Sequence, residues 1–243
     1  MQEIVVNDWN QLIECISNLT YKHGNKLWYR GHMDFNWELI PSVKRSPYNK
    51  EKYEQYLTTD FYIETKRRRI NTPNNKSGWL SLMQHYGLPT RLLDWSESPL
   101  VALYFATNNY KYSQTDGAIW VLNPELLNEL QGYKKYLFPM DYNTPLELIE
   151  GAFYPTKEQN KIIACCNVEY DLRMYVQQAN FTIHDSNIPL ERNTDSDKFL
   201  TKIRIPNNSK FMFSRQLNLL GFSENTIFPD VEHISHELKE EFS

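Results

Sequence analysis

The sequence predicts an α+β fold, a mostly antiparallel mixed sheet with helices packed on it, in a single domain spanning residues 1–243. Three observations predict it. Short β-branched and aromatic runs are interspersed with amphipathic stretches. Their order lacks the regular strand–helix–strand alternation of a doubly wound sheet. A 41% hydrophobic content over 243 residues suffices for one large core.

The first element is a helix over residues 7–20: Asp8-Trp9-Asn10-Gln11 has a cap-and-return pattern, and Trp9, Leu12, Ile13, Ile16 and Leu19 share one face. The core follows over about residues 21–240. Lys26–Arg30 reads as an aromatic strand delivering Arg30 to its C-terminal edge, beside Gly31. Asn49–Ile70 contains no Gly or Pro and predicts a long exposed helix before the polar stretch Asn71–Ser77. Ser77 is expected to cap a helix bearing Trp79, Leu80, Leu82 and Met83, stopped by Gly87 and Pro89. Thr90–Trp95 reads as extended, and Ser98-Pro99 opens the helix Leu100–Ala106, apolar nearly all round and therefore central. Strands are expected at Ala118–Leu122, Lys161–Val168, Tyr175–Ile183 and Leu200–Ile205. Helices are expected at Pro124–Leu130, Pro145–Ala152, Ser209–Leu220 and Pro229–Phe242.

No apolar run approaches the roughly 20 residues that span a bilayer. The start Met-Gln-Glu-Ile-Val-Val-Asn lacks the pattern of a signal peptide, so the chain is expected in the cytoplasm and off the membrane. Three cysteines, Cys15 and the pair Cys165-Cys166, form neither a disulfide framework nor a metal-binding Cys-x-x-Cys. The adjacent pair reads as core filler, the alternative being a reactive thiol. The formal charge of −4 gives no global attraction to phosphate, so nucleic-acid binding would need a local patch such as Lys66-Arg67-Arg68-Arg69, a run that otherwise reads as a solvated helix face. P-loop, Rossmann and nucleophile-elbow motifs are absent.

Two segments carry chemistry. Arg30-Gly31-His32 can lay a planar guanidinium on a carboxylate or phosphate, or pair with a core aspartate instead. Gln84 to Ser96 packs His85, Tyr86, Thr90, Arg91 and Asp94 between two apolar helices, and is either a satisfied internal network, for instance Arg91 to Asp94, or a pocket wall. His233 and His236 lie three apart on the expected C-terminal helix, a spacing for metal or simply a solvated face; no metal is expected.

Trp28-Tyr29-Arg30-Gly31-His32, Trp37 to Ser42, Gln84 to Ala106 and Ile227-Phe228-Pro229-Asp230 together resemble the FRG domain family, over about residues 20–240. That family's members are bacterial and phage proteins, some near defence systems, which implies a conflict or toxin-like role. More distantly, Arg30-Gly31 and Val101-Ala102-Leu103-Tyr104-Phe105-Ala106 are similar to ADP-ribosyltransferases of the arginine-serine-glutamate type, with Asp94-Trp95-Ser96 where the serine motif lies. This resemblance implies an ADP-ribosyltransferase-like core and a pocket for NAD. In it Arg30 would hold a phosphate or ribose oxygen and Ser96 would order the site; the candidate catalytic residues are thus Arg30, His85, Asp94 and Ser96, and the candidate nucleotide-binding residues Arg30, Gly31, His32, Tyr86, Thr90, Arg91 and Gln177. The glutamate of the third element is missing from Tyr170 to Thr182, where Arg173 or Gln177 stands instead; Glu169, Asp171 or Asp94 are its possible substitutes. Three readings follow: transfer or hydrolysis of NAD, a non-catalytic module recognising a nucleotide, nucleic acid or protein, and a metal-dependent nuclease using His32, His85 and Asp94.

Overall fold

A computed structural model describes residues 3–24, 26–68, 72–108, 114–168 and 171–229. Eight strands, β1 (Glu3–Val5), β2 (Trp28–His32), β3 (Leu92–Ser96), β4 (Gly117–Leu122), β5 (Phe138–Pro139), β6 (Ile162–Cys166), β7 (Ala179–His184) and β8 (Leu200–Ile205), form one sheet. Its order is β1-β8-β4-β2-β3-β7-β6-β5. The inner pairs are antiparallel, and only the edge pairs β1–β8 and β5–β6 are parallel. This is the mixed, mostly antiparallel α+β arrangement expected.

The helices are α1 (Trp9–His23), α2 (Tyr53–Arg67), α3 (Lys76–His85), α4 (Pro99–Thr107), α5 (Pro124–Leu130), α6 (Asn143–Ile149), α7 (Leu172–Val176), α8 (Ser196–Phe199), α9 (Asn207–Leu219) and α10 (Glu224–Ile227). One face of the sheet is covered in two halves. Over β2, β4 and β8, the helices α1, α4 and α9 bury a core that includes Leu12, Leu103, Ile119, Ile203 and Phe213. Over β3, β6 and β7, α3 and α6 bury Leu80, Met83, Leu148, Phe181 and Ile183. The opposite face is closed by α5 and α8 over Trp28, Trp95 and Trp120.

What positions the site is the seam between the halves. β2 shares five register pairs with β4, and β3 five with β7, but β2 and β3 pair only at Tyr29–Ser96. Beyond that point the two central strands part, and their unpaired backbone groups must find other partners. The helix beside the seam, α4, is apolar all round as expected, with Val101, Ala102, Leu103 and Ala106 buried. It lies almost on the strands. A Cβ on Gly31 would stand 1.9 Å from the Ala102 carbonyl oxygen, and one on Gly117 2.7 Å from that of Ala106.

Several boundaries differ from expectation for local reasons. Asp8 caps α1 by accepting the Gln11 N–H, while Gln11 Oε1 accepts from Asn7 N, and the helix continues to His23. Asn75, not Ser77, caps α3: its side chain accepts the Gly78 N–H at 2.7 Å. The strand expected at Tyr175–Ile183 begins only at Ala179. Asp171 Oδ1 accepts the Met174 N–H and nucleates α7, and Gln178 turns the chain with φ at 48°. The long helix is confined to Tyr53–Arg67, and Arg69, Ile70 and Asn71 lie outside the described residues. So do Glu169, Tyr170 and residues 230–243, including His233, His236 and all but the first residue of the expected last helix. No helix among the described residues is long and apolar enough to cross a membrane.

Candidate functional site

At the seam the side chain of Arg30 substitutes for the missing strand pairing. Its Nη1 donates to the Asp94 carbonyl oxygen at 2.7 Å and lies 3.5 Å from the Asp94 carboxylate. Its Nε donates to His32 Nε2 at 3.1 Å. His32 also has a backbone hydrogen bond at Trp37, and Trp120 Nε1 lies 3.3 Å from its Nδ1. Burial and the Arg30 charge hold the His32 pKa well below that of a free imidazole, so His32 is a neutral acceptor for the arginine. Burial lowers the Arg30 pKa, against the opposing pull of Asp94.

Gln84 on α3 completes the network. Its amide donates to both Asp94 oxygens, at 3.0 and 2.8 Å, and its own oxygen accepts from Thr90 Oγ1. The Asp94 side chain nevertheless keeps 47% of its surface exposed, so its carboxylate is anchored but not enclosed.

Two recesses meet at this arginine. The first, about 220 Å³, lies between α4 and the α3–α7 side and is lined by Arg30, Gly31, His85, Asp94, Arg173 and Gln177, among others. The second, about 190 Å³, also touches Arg30, Gly31 and Phe105, and continues past His32 to the exposed indole of Trp37 and to Arg45. In the first, His85 Nδ1 lies 2.6 Å from Asp171 Oδ2. The contact is close but not aligned as a hydrogen bond. Such pairs commonly come into alignment only when a ligand binds. Arg173 lies over the Phe228 ring, 4.6 Å from its centroid, and Phe105 meets the same ring edge-on.

The structure therefore gathers Arg30, His85, Asp94, Ser96, Gln177 and Gly31 around one cavity, with His32 in the adjoining recess. Their roles differ. The Ser96 hydroxyl has committed its proton to the backbone, donating to the Gln177 carbonyl at 2.7 Å and accepting the Ser98 N–H at 2.9 Å. Gln177 spends its amide on the Ile227 carbonyl. Gly31 makes room for α4, where the expectation was room for a ligand. Thr90 is buried behind Gln84. Tyr86 is 65% exposed and lines neither recess.

Arg91 requires correction. It points away from Asp94 into a buried ion cluster, donating to Glu54 from Nε and Nη2 and to the Leu148 carbonyl and Asp185 from Nη1. The expected Arg91–Asp94 pair does not form; Asp94 is held by Arg30 and Gln84. As for the nuclease reading, no group of three His, Cys, Asp or Glu side chains among the described residues is placed to hold a metal ion, and His32 is engaged with Arg30. Sequence reasoning missed Trp37, Arg45 and Phe105 as wall residues; only their type, aromatic or cationic near the arginine motif, could have signalled them.

Compared with known families, residues 25–115 match the FRG domain. The match contains the Arg30-Gly31 strand, Gln84, Asp94 and α4, and is shorter than the 20–240 span of the resemblance. Arg173, Met174 and Gln177, which line the far side of the cavity, lie beyond it. No curated protein matches the chain, and no solved structure matches it.

Proposed function

We propose that the FRG domain of this chain binds a dinucleotide of the NAD class across the seam and cleaves its nicotinamide–ribose bond. The observation that carries the reading is the pair of recesses joined at Arg30. A dinucleotide has two ring-bearing ends and a diphosphate between them, and a guanidinium is suited to the diphosphate. Each recess is below the roughly 300–1,000 Å³ of a pocket enclosing a whole drug-sized ligand. Each is suited to one end. Trp37 offers a ring to one nucleobase, while the nicotinamide end meets Asp94, His85 and Arg173.

In that pose Asp94 takes the part of the missing glutamate. Its carboxylate, held on Gln84, stabilises the positive charge that develops at the ribose carbon as the C–N bond breaks and nicotinamide leaves with the bonding pair. Water, or the hydroxyl of a target, forms the new bond to that carbon and gives its proton to His85, which Asp171 orients. An activity of this kind suits the conflict setting implied by the family resemblance. The commitment of the Ser96 proton to the backbone favours a second reading, in which the FRG domain binds the dinucleotide as a signal and breaks no bond.

Incubating the protein with NAD, measuring binding by calorimetry and nicotinamide release by chromatography, separates the two. Turnover by the wild type, lost in Asp94→Asn with affinity retained and lost together with affinity in Arg30→Ala, is the expected result. Saturable binding without release assigns a sensor, and absence of binding refutes both readings.

A further inference from the structure

A third recess, about 470 Å³, shares no lining residue with the FRG cavity and opens between α2, α3 and the chain after α6. Tyr62 and Tyr154 stand on its rim with 44% and 58% of their surfaces exposed, and the buried Trp79 contributes to its wall. Tyr62 packs on Trp79 with ring centroids 4.9 Å apart. Ammonium groups lie over these rings: Lys66 Nζ is 5.8 Å from the Tyr62 centroid and 5.6 Å from that of Trp79, and Lys76 Nζ is 4.9 Å from that of Tyr154.

The charge around this recess is unbalanced. Lys66 donates to Thr72 Oγ1 at 2.6 Å and makes no ion pair among the described residues. Arg67, the last residue of α2, and Arg68, which caps it, share the single carboxylate of Glu64. Lys76 has Glu150 at 2.7 Å. Of these four cations Lys66 and Lys76 line the recess, and Arg67 and Arg68 stand beyond its wall at the end of α2, on a chain whose overall formal charge is −4.

Exposed ring faces interleaved with cations are the means by which proteins hold single-stranded nucleic acid without reading its sequence: bases stack on the rings and phosphates meet the cations. We infer that this groove on α2 and α3 binds single-stranded nucleic acid. Tyr62 and Tyr154 act as stacking platforms, and Lys66, Arg67 and Arg68 as phosphate contacts. An acidic peptide would satisfy the cations but would leave the two exposed rings without a role, which is why nucleic acid is the better occupant. The inference does not depend on the activity of the FRG cavity.

The test is fluorescence anisotropy of end-labelled thymidine and adenosine oligonucleotides of about 20 nucleotides, with the full chain, at about 50 and about 200 mM salt. Three to four phosphate contacts on a single strand predict a salt slope of about −2 to −3, hence weakening of about 20- to 50-fold between those salts. Tyr62→Ala/Tyr154→Ala should weaken binding by about 5-fold or more per ring with the salt slope unchanged. Lys66→Gln should weaken it and flatten the slope by about 0.7. Arg30→Ala should leave it intact. Circular dichroism and thermal midpoints verify that each variant is folded, and because Lys66→Gln leaves every ring in place, it keeps the test decisive if the tyrosine variant unfolds. No binding at protein concentrations up to about 100 µM, the weak end of non-specific affinities, overturns the inference. So does unaltered binding by both groove variants, or equal displacement by polyglutamate, which would indicate an acidic protein partner.

Discussion

Replacing Gly31 with alanine separates the two tasks a glycine beside a site arginine can perform. The added Cβ would stand 1.9 Å from the Ala102 carbonyl oxygen, 2.8 Å from Ala106 N and 2.9 Å from the Ala102 carbonyl carbon, all of them helix backbone. Ordinary contact begins near 3.4 Å. Helix α4 must therefore retreat by about 1.5 Å, since no flexible side chain can yield in its place. That helix buries Val101, Ala102, Leu103, Tyr104 and Ala106, so the retreat loosens the packing of β2, β4 and α9 together. Overpacking a core costs about 1–3 kcal/mol and sometimes more; with three backbone contacts, about 3 kcal/mol is expected. At about 2–4 °C per kcal/mol for a chain of this size, Gly31→Ala should lower Tm by about 6–12 °C. Urea unfolding should report the same loss as a shift in midpoint with the slope unchanged. A loss below about 1 kcal/mol refutes the packing argument. If that small loss came with abolished nucleotide binding, the glycine would be there for the ligand.

Glu54→Ala should cost about 3–5 kcal/mol, because it leaves Arg91 buried with Asp185 as its one acidic partner, while nucleotide affinity of the folded protein is kept. Lost affinity without lost stability, measured by calorimetry and urea titration, would return Arg91 to the ligand site. Asp171→Asn retains a residue able to cap α7 but loses the charge beside His85. If the proposed cleavage holds, turnover should fall by about 10²- to 10⁴-fold with Kd within about two-fold and the pH profile altered; unchanged kcat would refute the proposal that His85 is the base. His184 is buried with its pKa lowered to about 3 by desolvation, and the Lys44 and Arg30 charges add to the effect. Because the unfolded chain takes up that proton near 6.5, the stabilisation is full above 6.5 and is lost as pH falls toward 3. From about pH 7 to about pH 5 the cost is about 2 kcal/mol from this residue, with His32 acting in the same direction. His184→Gln should flatten the urea-midpoint profile over that range, and an equally steep profile in the variant would contradict the assignment.

Local chemistry made much of the fold legible. The Asp8 cap, the Ser98-Pro99 start and all-round apolarity of α4, and the helix at Pro124–Leu130 and strand at Leu200–Ile205 are decided by residues within one or two turns of each other. The misplaced strand before Ala179 has an equally local cause, since Asp171 capping Met174 and the left-handed Gln178 outweigh the β-propensity of Tyr175 and Val176. Of the site, the Arg30-Gly31-His32 and Gln84–Ser96 segments were identifiable as polar groups crowded among apolar neighbours. Their partners were not. Arg91 and Arg30 lie in similar sequence settings, each within a few residues of hydrophobic strand positions, yet one is sealed by Glu54 and Asp185 and the other faces a cavity.

By itself the sequence determined which segments become helix or strand and which residue types gather near the arginine motif, because backbone propensity, capping and periodicity act over a few residues. Only the tertiary structure decided that β2 and β3 part after one register pair, that the Arg30 guanidinium fills the opening, and that Asp94 turns to Gln84 instead of Arg91. Those outcomes depend on contacts between residues far apart in the chain, 64 positions for Arg30 and Asp94 and further for Tyr29 and Ser96. Which of several nearby carboxylates a buried cation meets is settled by strand order and helix packing, and the chain's local chemistry does not encode that choice.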